Sequence, residues 1–166
     1  MAAPLFIMWN GPSPTTGAVA ALASAATVTP KTMQQLQLGT SKIRVVEWGY
    51  RFTTSPTAPV TMELIDTGSV GGTGGTSGIV TPYNDTAAVT RTATPGAAAT
   101  AYGPSGEGTP TTTRLLAATM DLATYFTQQF PLGREPEVAP GNFLRIRVTP
   151  STAAAVSVIS YFVWEE

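Results

Sequence analysis

Apolar and polar residues alternate with a period of two in two stretches of the chain. Val60, Met62 and Leu64 are separated by Thr61 and Glu63, and Leu144, Ile146 and Val148 by Arg145 and Arg147. That period marks a β-strand with one buried face. The same reading gives a strand over Thr32 to Leu38, with Leu36 and Leu38 inward and Gln35 and Gln37 outward. Thr112 to Thr119 and Thr124 to Phe130 are further strands, bracketed by turn-prone or polar residues. Two segments break the alternation. In Ile43 to Phe52, Val46, Trp48, Tyr50 and Phe52 share one face while Ile43 and Val45 lie on the other, which also puts Arg44 and Arg51 on opposite faces. In Ala155 to Trp164, Val156, Val158, Phe162 and Trp164 oppose Ile159, Tyr161 and Val163, so both faces are apolar.

Short strands divided by proline and glycine turns predict an all-β fold, an antiparallel β-sandwich with jelly-roll topology, as a single domain over residues 1–166. Residues 1–16 are expected to be an extended N-terminal arm, and 67–110 a long irregular loop insertion. Within that loop Asp85 is placed to cap a short helix over Thr86 to Arg91. The alanine-rich stretch 17–28 fits helix by its alanines and extended chain by its surroundings. A sandwich covers only the inner face of each sheet. The second apolar face of the C-terminal strand therefore needs a cover: the arm, the long loop or another subunit.

Composition narrows the function. The chain has 166 residues with no histidine and no cysteine, but 28 threonines and 23 alanines. Histidine and cysteine dominate acid/base, nucleophilic and transition-metal chemistry near neutral pH, so a structural part is favoured over an enzyme, and no cofactor or metal is expected. Charged residues make up 11% of the chain, against roughly 25% in ordinary soluble domains. Such a surface is covered by threonine, serine, glycine and proline, or by neighbouring subunits. A net charge of −1 disfavours nucleic acid, whose affinity comes mainly from lysine and arginine on phosphates. The segment from Leu5 to Trp9 is too short, and lacks the basic flank, for a secretory signal; no stretch approaches the roughly 20 apolar residues of a membrane-spanning helix.

Carboxylates are the remaining acid/base groups. Glu135 and Glu137 lie two apart beside Arg134, and Glu63 lies near Asp66. A glycosidase pair converges across a cleft from separate strands, so these read as solvated or arginine-paired charges. The run Gly71, Gly72, Gly74 and Gly75 lacks the lysine and the strand-to-helix setting of a phosphate loop and reads as flexible chain. Trp9, Tyr83 and Tyr102 fall in expected irregular chain and suit exposed contact with sugar or protein.

The segment FPLGREPEVAPGNFLRIRVTP, the terminal SYFVWEE, and IRVVEWGYRF with VTMELIDTG upstream together resemble small head-associated proteins of tailed bacteriophages of actinobacteria. The resemblance covers roughly 43–66 and 112–166 and carries no catalytic residues. It implies a capsid decoration or cement protein on the outer surface of the virion, made in the host cytoplasm. Its partners would be the major capsid protein and copies of itself, with a trimer as the expected closed assembly, and neither nucleic acid nor membrane. Candidate interface residues are Phe6 and Trp9 of the arm and Arg134, Glu135 and Glu137. Two other roles stay open: a glycan or host-surface binding jelly-roll module, and a tail or vertex component.

Overall fold

A computed structural model describes residues 4–10, 20–24, 27–73, 80–84, 91–96, 106–110, 112–121 and 124–166. Twelve strands follow one another: β1 Leu5–Trp9, β2 Leu22–Ala23, β3 Lys31–Gln37, β4 Ile43–Phe52, β5 Val60–Asp66, β6 Val80–Pro82, β7 Thr94–Gly96, β8 Arg114–Asp121, β9 Tyr125–Gln129, β10 Glu137–Val138, β11 Phe143–Pro150 and β12 Ser157–Glu165. The described residues contain no helix. The expected cap at Asp85 and helix over 86–91 fall outside them, except Arg91, which is in neither helix nor strand.

All pairings are antiparallel, in two sheets. One sheet runs β10-β4-β12-β1-β6, with β9 also on β4 and β2 on β12; the other runs β7-β3-β11-β5-β8. The fold is thus the expected all-β sandwich. Early and late strands interleave in the second sheet, an order consistent with the Greek-key connections of a jelly roll.

The core lies between the sheets. Val60, Met62 and Leu64 of β5 meet Leu144, Ile146 and Val148 of β11, and the opposite sheet contributes Trp48, Tyr50, Phe52, Val158, Phe162 and Trp164. Each fully buried large side chain contributes about 1.5–3 kcal/mol relative to exposure. Rings add orientation: Trp48 lies 5.4 Å and Tyr50 5.5 Å from Phe126, and Trp164 5.5 Å from Phe162. One polar chain crosses this interior. Gln34 donates to the Met8 carbonyl (2.7 Å) and accepts from Ser160 Oγ (3.1 Å), while Asn10 accepts from the Ser160 N–H (2.9 Å) and donates to the Val158 carbonyl (3.1 Å).

Three expectations are corrected. Within the expected extended arm of residues 1–16, Leu5–Trp9 is not irregular chain but a strand between β12 and β6, because its apolar Phe6 and Met8 complete the core beside Trp164 and Phe162. The split faces of β4 are one face. Glu47 pairs with Val163 and Val45 with Trp164, so Val46 is the extra residue of a β-bulge. The slip puts Ile43 and Val45 on the core side with Trp48, Tyr50 and Phe52, and leaves Arg44 and Arg51 on the same outer face.

The third correction concerns 67–110, which is not wholly irregular. β6 and β7 lie within it, and its two limbs are pinned to the outer face of the second sheet. Arg145, on the polar face of β11, is fully buried beneath them. Its guanidinium donates to the Val70 carbonyl and to the Glu107 carbonyl (2.9 Å) and carboxylate (3.4 Å). That carboxylate also accepts from the Thr32 N–H (2.6 Å) and hydroxyl (2.7 Å). Gln35 holds Gly72 through both of its backbone groups, and Thr73 donates to the Gly106 carbonyl at 2.7 Å. Gly71 sits against the Phe143 ring, where a Cβ would come within 2.4 Å of Cε1. Gly71 is therefore a close-contact position and Gly72 a hydrogen-bonded one, rather than flexible chain; Gly74 and Gly75 lie outside the described residues.

Candidate functional site

The outer face of the β4-bearing sheet carries the most distinctive surface. Strand alternation sends Leu5, Ile7 and Trp9 of β1 outward, next to Tyr161 and Val163 of β12. Tyr161 pairs with Gly49, Ile159 with Arg51, and Arg51 in turn with Tyr125 of β9. The result is a shallow hollow of about 330 Å³ lined by Trp9, Tyr50, Arg51, Tyr125, Ile159 and Tyr161.

Its floor is built around the missing side chain of Gly49. A Cβ there would lie 2.7 Å from Tyr161 Cε1 and 2.7 Å from the Phe126 carbonyl, so only glycine lets the Tyr161 ring lie flat over β4. Trp9 packs on that ring with centroids 4.7 Å apart. The phenol is fixed at its far end, donating to Glu47 Oε1 (2.5 Å) and lying 3.1 Å from the Thr127 hydroxyl. Burial, reinforced by the bond to Glu47, pushes the Tyr161 hydroxyl well above the ordinary tyrosine value. It therefore stays a neutral donor.

Beside this face, Leu132 stands on the turn between β9 and β10 and is 91% exposed. The turn closes by the Arg134 N–H donating to the Pro131 carbonyl at 2.9 Å, with Gly133 at φ +79°, the conformation a type II turn requires at its third residue.

The candidate interface residues separate. Phe6 is only 2% exposed, packed against Trp164 with centroids 5.8 Å apart, and is corrected to a core residue. Trp9 is half-buried and faces outward in the hollow. Arg134 is exposed on the Leu132 turn, and Glu135 beside it is half-buried. Glu137 accepts from Lys42 (3.0 Å) and Arg44 (3.2 Å), and these bonds hold its carboxyl below the usual range and raise Arg44. Tyr83 is exposed; Tyr102 lies outside the described residues.

Glu63, Asp66 and Glu137 face cations rather than one another. Glu63 bonds Arg147 (2.9 Å) and Asp66 bonds Arg114 (3.3 Å) and Asn142 (3.0 Å), while Arg114 also donates to the Glu137 carbonyl. No group of three histidine, cysteine, aspartate or glutamate side chains is placed to hold a metal among the described residues. Tyr125, Tyr161, Ile159, Arg51, Gly49 and Leu132 were not singled out from the sequence as contact residues. The signal available for two of them was the second apolar face of the C-terminal strand; for Leu132 it was an apolar residue between proline and glycine.

No protein-family profile matches the chain, and no curated protein sequence does. Among solved structures, the crystal structure of the infectious bursal disease virus VP2 subviral particle aligns over 97% of this chain and 41% of its own at 11% identity, with a TM-score of 0.24. Structures of the Gx and Gt strains of that virus each align at 13% identity and a TM-score of 0.14, covering 99% and 93% of this chain and 40% and 43% of theirs. The chain spans about two fifths of these proteins. Likenesses this loose carry no inference about function.

Proposed function

We propose that this chain is a structural virion protein, a decoration or cement subunit that binds the outside of a phage capsid and stabilises it. The observation that carries the reading is one lateral flank of the sandwich. β8 and β9 are edge strands of the two sheets, and Tyr50 Oη of β4, the strand that pairs with β9, lies 2.6 Å from Thr119 Oγ1 of β8. Leu115 is 55% and Met120 74% exposed on the outer face of β8, and Tyr125 is 63% exposed on the outer face of β9. Large apolar side chains exposed on two edge strands, one of them eight residues long and unpaired on its outer side among the described residues, are features that soluble monomers avoid and assembling subunits use. The low charge of the chain and the resemblance of 43–66 and 112–166 to head-associated phage proteins support the same conclusion.

The mechanism is avidity. Each contact with the major capsid protein is weak, but many repeated around a shell resist its expansion by spanning the joints between capsomers. Purified protein added to particles lacking it should co-sediment with them and raise the temperature at which they release DNA; protein that stays in the supernatant at saturating concentration would refute the reading. The aromatic hollow of Trp9, Tyr125 and Tyr161 supports one other reading, a glycan-binding module in which sugar rings stack on the exposed aromatic faces. That reading requires saturable binding of cell-wall polysaccharide, lost in Trp9→Ala.

A further inference from the structure

We infer that copies of this chain join head to tail by seating Leu132 of one copy in the Trp9, Tyr125, Ile159 and Tyr161 hollow of the next. The inference goes beyond the capsid reading and holds whatever surface the assembly coats.

A lone exposed leucine is ordinary. Here the same chain carries both a protruding knob and an apolar hollow. The knob is presented rigidly, on a turn closed by a hydrogen bond, between a proline and a glycine in the left-handed region. The hollow is lined by four aromatic rings and Ile159, and Arg51 is its charged member. A sugar needs hydrogen-bonding groups around its ring as well as a stacking face; this lining is almost wholly apolar, the Tyr50, Tyr125 and Tyr161 hydroxyls are bonded to Thr119, Thr127 and Glu47, and Arg51 is the one charged group. An aliphatic side chain suits it better.

Charge around the two parts matches. Arg134 and Glu135 flank the knob, while Arg51 lines the hollow and Glu47 lies beyond it, at the hydroxyl end of the Tyr161 ring. Neither Arg51 nor Arg134 forms an ion pair among the described residues. Each cation therefore has a carboxylate to meet across the joint, Arg51 with Glu135 and Arg134 with Glu47.

One chain cannot close this contact on itself. Tyr125 lies opposite Arg51 at the hollow, and Gln129 lies opposite Glu47 at the far end of β9, with the turn beyond it. At about 3.3 Å per residue the knob sits roughly 15–20 Å from its own hollow. The partner must be a second copy, and because knob and hollow are different patches the joint is heterologous, giving a ring when the rotation closes and a filament when it does not.

The test is sedimentation velocity on the purified full chain over a concentration series, with Leu132→Asp and Ile159→Glu as variants. Both positions are at least partly exposed, and circular dichroism checks that each variant is folded; Trp9→Ala is the second hollow variant should Ile159→Glu fail to fold. Wild type should self-associate, and each variant should weaken that association at least about tenfold. Mixing Leu132→Asp with a hollow variant should restore one joint, between the intact knob of one and the intact hollow of the other, and yield a heterodimer that goes no further. A wild type that stays monomeric, a Leu132→Asp variant of unchanged oligomer size, or a mixture without heterodimer would each overturn the proposal. So would polysaccharide binding in the hollow of a protein whose self-association ignores Leu132. Because only purified protein is used, failure here leaves the particle-binding reading standing.

Discussion

Replacing Arg145 with alanine should unfasten the central excursion from the sheet beneath it. The guanidinium is fully buried and its partner Glu107 keeps 14% of its side-chain surface. Truncation removes the bonds to two carbonyls and one carboxylate and leaves that carboxylate under the loop without its cation. Breaking a buried pair by removing one member costs about 3–5 kcal/mol. Glu107 retains two bonds from Thr32, which places the expected loss near the lower end, about 3 kcal/mol. For a chain of this length that is a fall in Tm of roughly 6–12 °C. Urea unfolding measures the stability, and limited proteolysis shows where it is lost: cleavage between residues 67 and 110 should accelerate while the strands stay protected. Adding Glu107→Gln to Arg145→Ala should cost less than the sum of the two single changes, since the uncompensated charge is gone. A loss below about 1 kcal/mol with unchanged cleavage would refute the account of Arg145 as the pin.

Gln34→Leu should destabilise by about 1–3 kcal/mol, because Ser160 Oγ loses its acceptor in the interior, and Ser160→Ala added to it should recover part of that loss in urea titrations. Gly49→Ala should cost about 1–3 kcal/mol by overpacking and tilt the Tyr161 ring, visible in near-ultraviolet circular dichroism; an unchanged spectrum and stability would contradict the close approach. The folded chain holds the Tyr161 proton more tightly than the unfolded chain does. Stability from this group is therefore complete below the ordinary tyrosine value of 10.0 and falls as pH rises above it, and Tyr161→Phe should flatten that alkaline decline of the urea midpoint.

Strands whose alternation was unbroken were legible in the sequence: the positions assigned inward on β5 and β11 are the core positions. The rest failed for identifiable reasons. β1 is five residues long and pairs with the opposite end of the chain, so no local pattern distinguishes it from an arm. On β4 one extra residue at Val46 reverses the phase of everything after it, which makes a single buried face look like two. Alternation assigned Arg145 correctly to the outer face, but a period of two reports direction and not what lies above; the cover comes from residues 70 and 107, distant in sequence. The hollow was half visible. Ile159 and Tyr161 stood out as a second apolar face of the last strand, while Tyr125, Arg51 and Gly49 join them only through strand pairing.

The central proposal, that this is a structural virion protein of a phage, is tested most directly by quantitative mass spectrometry of purified phage particles, counting copies relative to the major capsid protein. A simple fixed ratio to the capsid subunit is the predicted result. A handful of copies per particle would move the chain to a tail or vertex, and its absence from particles would contradict the claim outright.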